Sequence, residues 1–147
     1  MVTKIAKLLC VMAAVAMLAG GCANQNAGLV GMPSPILQDI PIPTDFKIVN
    51  DRSRSWTDGT LRFADLLYKG RADSTAIQKF YSQQMPTCHW IAQTEMFAQG
   101  RSTMDYVKSG EKCRVTVYKE GVFGETYIQV AIWPNRPNAK IDPNQNR

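Results

Sequence analysis

Residues 113–133 read CRVTVYKEGVFGETYIQVAIW, and this stretch decides the fold. Cys113, Val115 and Val117 alternate with Arg114, Thr116 and Tyr118, and after the glycines Ile128, Val130 and Ile132 alternate with Tyr127, Gln129, Ala131 and Trp133. A period of two sends the aliphatic set to one face and the polar and aromatic set to the other, which is the signature of half-buried strands. Gly121 to Gly124 supplies the turn between them. Working backwards, Thr103 to Lys108 and Trp90 to Ala98 read as two more strands, joined through Gln99-Gly100-Arg101. Connections this short predict an antiparallel meander. Thr60 to Tyr68 and a short Phe46 to Asn50 strand precede them, with Asp58-Gly59 as a turn signal.

One segment has a different period. Ile77, Phe80, Tyr81 and Met85 recur at i, i+3, i+4 and i+8, with Lys79, Ser82 and Gln83 opposite. Asp73 or Ser74 can cap this helix by accepting from first-turn N–H groups. Pro86 is expected to end it, because the residue before a proline disfavours α geometry. The predicted order is β-β-α-β-β-β-β. This is an α+β fold with a mostly antiparallel sheet of about five to six strands and one main helix packed on one face.

The segment KFYSQQMPTCHW (79–90) resembles the "FY…MP…GW" stretch of a group of small, poorly characterised bacterial lipoproteins. In those a helix ends at a Pro and a Trp opens the next strand. IPTDF (42–46) is similar to the "P…F" segment before their first strand, and Cys88-His89 stands where they often carry Asn-Gly. The resemblance covers about 90 residues. It implies fold type and location and no known activity.

The N-terminus points to the same location. Lys4 and Lys7 precede the uncharged run Leu8 to Leu18, about half of what a spanning helix needs. Ala19, Gly20 and Gly21 follow, giving the charged–apolar–small layout of an export signal. Leu18-Ala19-Gly20-Gly21-Cys22 resembles a lipobox, with Leu one place further from the Cys than usual. The resemblance implies cleavage before Cys22 and lipidation of its thiol and amine, with palmitate among the acyl chains. It implies a lipid-anchored envelope protein, and Ala23 after the Cys resembles an outer-membrane sorting signal, facing the periplasm. The expected domains are 1–21 as signal peptide, 22–40 as a Pro-rich tether, 41–133 as the α+β domain and 134–147 as a disordered tail. Ile36, Leu37, Ile40 and Ile42 give the tether's later part the option of lying along the domain as an edge strand or strap.

The chain has 147 residues, 17 Lys+Arg, 12 Asp+Glu, one His and four Cys. Its net charge of +5 falls to +3 once Lys4 and Lys7 leave with the signal. That argues against a nucleic-acid partner, which needs clustered cations. The expected partners are the membrane, through the anchor, and other envelope proteins. Cys88 and Cys113 are the cysteines left after the signal and the lipid, and an oxidising periplasm permits a disulfide between them.

No catalytic residue, metal site or cofactor is assigned. Asp65, Glu95 and Asp105 lie singly in strands, His89 has no third ligand at metal spacing, and the Gly121–Gly124 segment lacks the helix a phosphate loop needs. Arg114, Tyr118, Tyr127 and Trp133 fall opposite the Val/Ile rows and form a candidate interaction surface. The expected function is a non-enzymatic interaction or assembly-support module. The alternative is a periplasmic domain that binds a lipid, glycan or other small ligand.

Overall fold

The alternating Val/Ile rows meet in the centre of one sheet. The computed structural model describes residues 28–121 and 124–135. The elements are β1 (Gly31–Pro33), β2 (Pro41–Pro43), β3 (Lys47–Ile48), β4 (Arg54–Asp58), β5 (Leu61–Gly70), α1 (Ser74–Thr87), β6 (Ile91–Ala98), β7 (Arg101–Lys108), β8 (Glu111–Glu120) and β9 (Glu125–Pro134). β3 to β9 form a seven-stranded sheet in the order β3-β5-β9-β8-β7-β6, with β4 also paired to β5, and every pairing is antiparallel. Two of its hairpins turn on Gln99-Gly100 and Ser109-Gly110, where both central residues have positive φ, the geometry that suits the strand twist. The fold is α+β, as expected, with nine strands among the described residues rather than five or six.

The three extra strands lie where alternation is weakest. β4 is exposed throughout, so neither face carries an apolar code. β1 and β2 pair as a separate ribbon, Gly31 opposite Pro43 and Pro33 opposite Pro41. From Gly31 onward this ribbon replaces the expected tether at 22–40 with the strap option, while residues 22–27 lie outside the described residues. Leu37, Ile40 and Ile42 belong to the hydrophobic core, and Ser34 is buried with its hydroxyl 2.7 Å from the Tyr68 hydroxyl. The Ser34 Oγ also accepts from the backbone N–H groups of Ile36 and Leu37, so the proline-rich bend satisfies its own polar groups. The domain therefore begins before residue 41. Its last strand reaches Pro134, and Asn135 donates to the Gly110 carbonyl. The signal, Cys22 and residues 136–147 of the expected tail lie outside the described residues.

Helix α1 buries Ile77, Phe80, Tyr81 and Met85, the four positions its period marks, and Asp73 caps it by accepting from the Thr75 N–H at 2.8 Å. It runs one residue past Pro86, which corrects the expected stop. Proline costs one helical donor, and this close to the end other bonds close the turn. His89 N–H donates to the Pro86 carbonyl and Trp90 N–H to the Met85 carbonyl, both at 3.0 Å. This pair of bonds needs the intervening residue in the left-handed region, and His89 sits there at φ 66°. Glycine takes that conformation without Cβ strain. His89→Gly should raise stability by about 0.5–1 kcal/mol, after allowance for glycine's looser unfolded chain. A higher urea midpoint at unchanged slope is the readout, and a lower midpoint would refute the strain.

The helix and the ribbon lie on the same face of the sheet. α1 touches β2, β6 and β8, and Gln78 hydrogen-bonds Ser102 on β7. The ribbon covers the β5 side, where Ser34 meets Tyr68. The opposite face carries no helix or ribbon among the described residues.

Candidate functional site

The strand register tiles the open face in rows. Trp56 lies opposite Phe63, and continuing the β5–β9 register by one residue brings Phe63 beside Trp133. Trp133 faces Lys112, Lys112 faces Val107, and Val107 faces Ile91. One row thus crosses the sheet from edge to edge with five apolar side chains and one lysine. Trp56 and Phe63 stack with centroids 5.1 Å apart, and Trp56 remains 51% exposed.

A charged row runs beside it. Arg114 forms a two-point contact with Asp105 at 2.7 and 2.9 Å and lies 5.8 Å from the Trp133 ring centroid. The Arg114 guanidinium holds the Asp105 carboxyl below its usual range. Asp65 is 3.7 Å from Arg54 and accepts from Gln129 at 2.8 Å. Asp65 and Asp105 therefore each have their own cation, and Glu95 lies on an exposed edge strand, so these three acids form no acid–base pair.

The four surface residues expected from the sequence do share this face. Arg114, Tyr127 and Trp133 are at least partly exposed. Tyr118 is a correction: it is buried, 7% exposed. The Tyr127 ring stacks on it at 5.5 Å and the Arg101 guanidinium lies 4.5 Å from its centroid, so two neighbours cover an aromatic that alternation alone leaves open. Sequence reading missed Trp56, Phe63 and Arg101. Trp56 sits in a strand without alternation, and only the register joins it to Trp133.

Cys88 and Cys113 are free thiols, which corrects the expected bridge. Cys88 caps α1, half-buried, with its sulfur 3.9 Å from the Thr87 hydroxyl. Cys113 is fully buried on β8 and burial pushes its thiol up; burial is also what chiefly raises the neighbouring Tyr81 and Tyr106 phenols, with Cys113 adding to it. A raised thiol is a poor nucleophile and metal ligand. His89 is exposed. No group of three or more His, Cys, Asp or Glu among the described residues is placed to hold a metal ion.

A second charged cluster joins the ribbon to the sheet. Arg62 grips Asp39 through two nitrogens at 2.9 and 3.0 Å and donates from Nε to Glu111 at 2.8 Å. Lys108 adds a third bond to Asp39 at 3.0 Å, and the Trp90 indole N–H donates to the Asp39 carbonyl at 3.0 Å. Burial alone would raise Asp39, yet the hydrogen bonds from Arg62 and Lys108 prevail and hold its carboxyl at about 2. Arg62, pulled up by Glu111 and Asp39, stays charged at every pH of interest. Every acid here is saturated by cations, so the cluster is a clasp and offers no free base. None of its members, Asp39, Arg62, Trp90, Lys108 and Glu111, was expected as a site residue, and the partners of Asp39 lie 23 to 69 residues away in sequence.

No protein-family model, curated protein or solved structure matches this chain.

Proposed function

We propose that this chain is an envelope lipoprotein, anchored through Cys22 in the outer membrane and facing the periplasm. Its domain is a non-enzymatic docking module for another envelope protein. The observation that carries the docking reading is the open sheet face, where an aromatic-aliphatic row ending in a half-exposed Trp56 lies beside a row of arginine–aspartate pairs. Aromatic and arginine side chains surrounded by polar groups are what protein interfaces favour. A small-ligand domain would instead favour a deep, mostly apolar pocket. The cavity of about 570 Å³ beside Lys69 is shallow and lined by charged as well as apolar groups.

The anchor and the surface are separable in experiment. Cys22→Ser should abolish metabolic labelling with palmitate, and continued labelling would refute the anchor. A photo-crosslinking amino acid placed at Trp56 or Lys112 should capture one envelope protein in vivo, whereas the same probe at Lys79 on the helix should not. Equal yields at both faces, or none at the sheet face, would refute the docking surface.

A further inference from the structure

The strands have two distinct ends. The first described residues lie at one of them, since Val30 accepts from the Thr44 N–H at 3.0 Å, three residues before Lys47. Lys47 is paired directly with Lys69, and Gly70 and Arg71 follow. The Phe46 ring sits so close to Gly70 that a Cβ there would be 2.8 Å from it, so this corner is tightly built. Lys47, Lys69 and Arg71 line the 570 Å³ cleft together with Asp45 and Glu125. Lys69 is neutralised by Glu125 at 2.7 Å. Lys47 and Arg71 are exposed, and neither has a carboxylate within 4.0 Å among the described residues. Two lysines directly opposite on paired strands repel each other. One of them answers to Glu125; the other is left to an anion from outside. Beside the cleft, Val30 is 68% exposed on the incoming segment.

Only six residues, 23–28, separate Cys22 from the domain, an extended reach of about 20 Å. Resting on the anchor proposed above, we infer that this corner docks on the bilayer, with Lys47 and Arg71 against the phosphates of anionic headgroups and Val30 at the interface. A tether this short keeps the cleft within reach of headgroups. Three cations, Lys47, Lys69 and Arg71, against two carboxylates, Asp45 and Glu125, leave the cleft one net positive charge, the sign that anionic lipid attracts. Docked this way, the strands stand up from the membrane. Trp133 and Phe63 then lie about 20 Å further out than Lys69, six residues along the strand, where a protein partner can reach them.

The test uses the full-length protein purified from membranes, ¹⁵N-labelled and held in nanodiscs containing phosphatidylglycerol and a headgroup-spin-labelled lipid. Intact mass reports acylation of Cys22. Amide signals of Val30, Lys47, Arg71 and Glu125 should be attenuated, and those of Arg62, Glu111 and Lys112 at the far end should not. Lys47→Glu with Arg71→Glu should restore the near-end signals while the protein stays anchored, since each reversal should weaken headgroup binding about five-fold or more. An acylated protein with equal attenuation at both ends, or with near-end attenuation unchanged by the reversals, overturns the docking and leaves the anchor standing. An unacylated Cys22 overturns both.

Discussion

Trp90→Ala should cost about 3–5 kcal/mol, the largest loss expected from any single substitution considered for this domain. Trp90 is 1% exposed, and two hydrogen bonds and one cation–π contact fix it. Its backbone N–H closes the helix onto Met85, its indole N–H holds the Asp39 carbonyl, and the Lys108 ammonium lies 5.5 Å from its ring. Truncation opens a cavity where helix, ribbon and sheet meet, and it leaves the Asp39 carbonyl without its indole donor. A domain of this size has about 5–15 kcal/mol in total, so the variant should be largely unfolded at the weak end of that range. Trp90→Phe keeps most of the packing and loses only the indole bond, at about 1–2 kcal/mol. Urea unfolding of the two variants separates the contributions. Equal midpoints would show that the hydrogen bond, and not the ring volume, dominates.

The second large effect is expected at Asp39. Asp39→Asn preserves shape and removes the charge that Arg62 and Lys108 share, at an expected cost of about 2–3 kcal/mol. The clasp is partly exposed, 23% at the Asp39 side chain, which keeps the figure below that of a fully buried pair. Its pH dependence has a definite sign. The folded-state value of about 2 lies below the ordinary 3.8, so Asp39 contributes stability above pH 4, and that contribution is lost as pH falls towards 2. The gap between wild type and Asp39→Asn should be widest near neutral pH and close in acid. A constant gap from pH 7 to pH 2 would show that the ion pairs contribute nothing and that the loss is steric. The structural consequence is specific, because the clasp is what binds the ribbon's outer end to β5, β7 and β8. Asp39→Asn should therefore raise amide exchange in residues 31–43 before it does so in β8 and β9.

Much of this architecture was legible along the chain. The helix face Ile77, Phe80, Tyr81 and Met85 was readable because 3.6-residue spacing survives wherever one face is buried. The core strands β8 and β9 were readable because each has one buried and one open face. The ribbon was not, since prolines suppress both periodicities and its burial depends on the helix beside it. The candidate surface was half legible: alternation puts Arg114, Tyr118, Tyr127 and Trp133 on one face, yet it does not say that Arg101 and Tyr127 close over Tyr118. The disulfide expectation failed because cysteine count and compartment limit what is permitted, whereas bonding needs two side chains brought face to face.

By itself the sequence determined the elements whose burial is written in a local period: one capped helix, a meander of alternating strands, and the inward set of valines and isoleucines. The tertiary structure alone decided which distant residues meet. Register joined Trp56 to Phe63 and Trp133, and it set Lys47 against Lys69. Folding the ribbon back over β5 brought Asp39 to Arg62 and Lys108, 23 and 69 residues away. Period is a property of neighbours along the chain, so a sequence can state it. Register and clasp depend on how separate segments are aligned in space, and that alignment is fixed only when the shared core is buried.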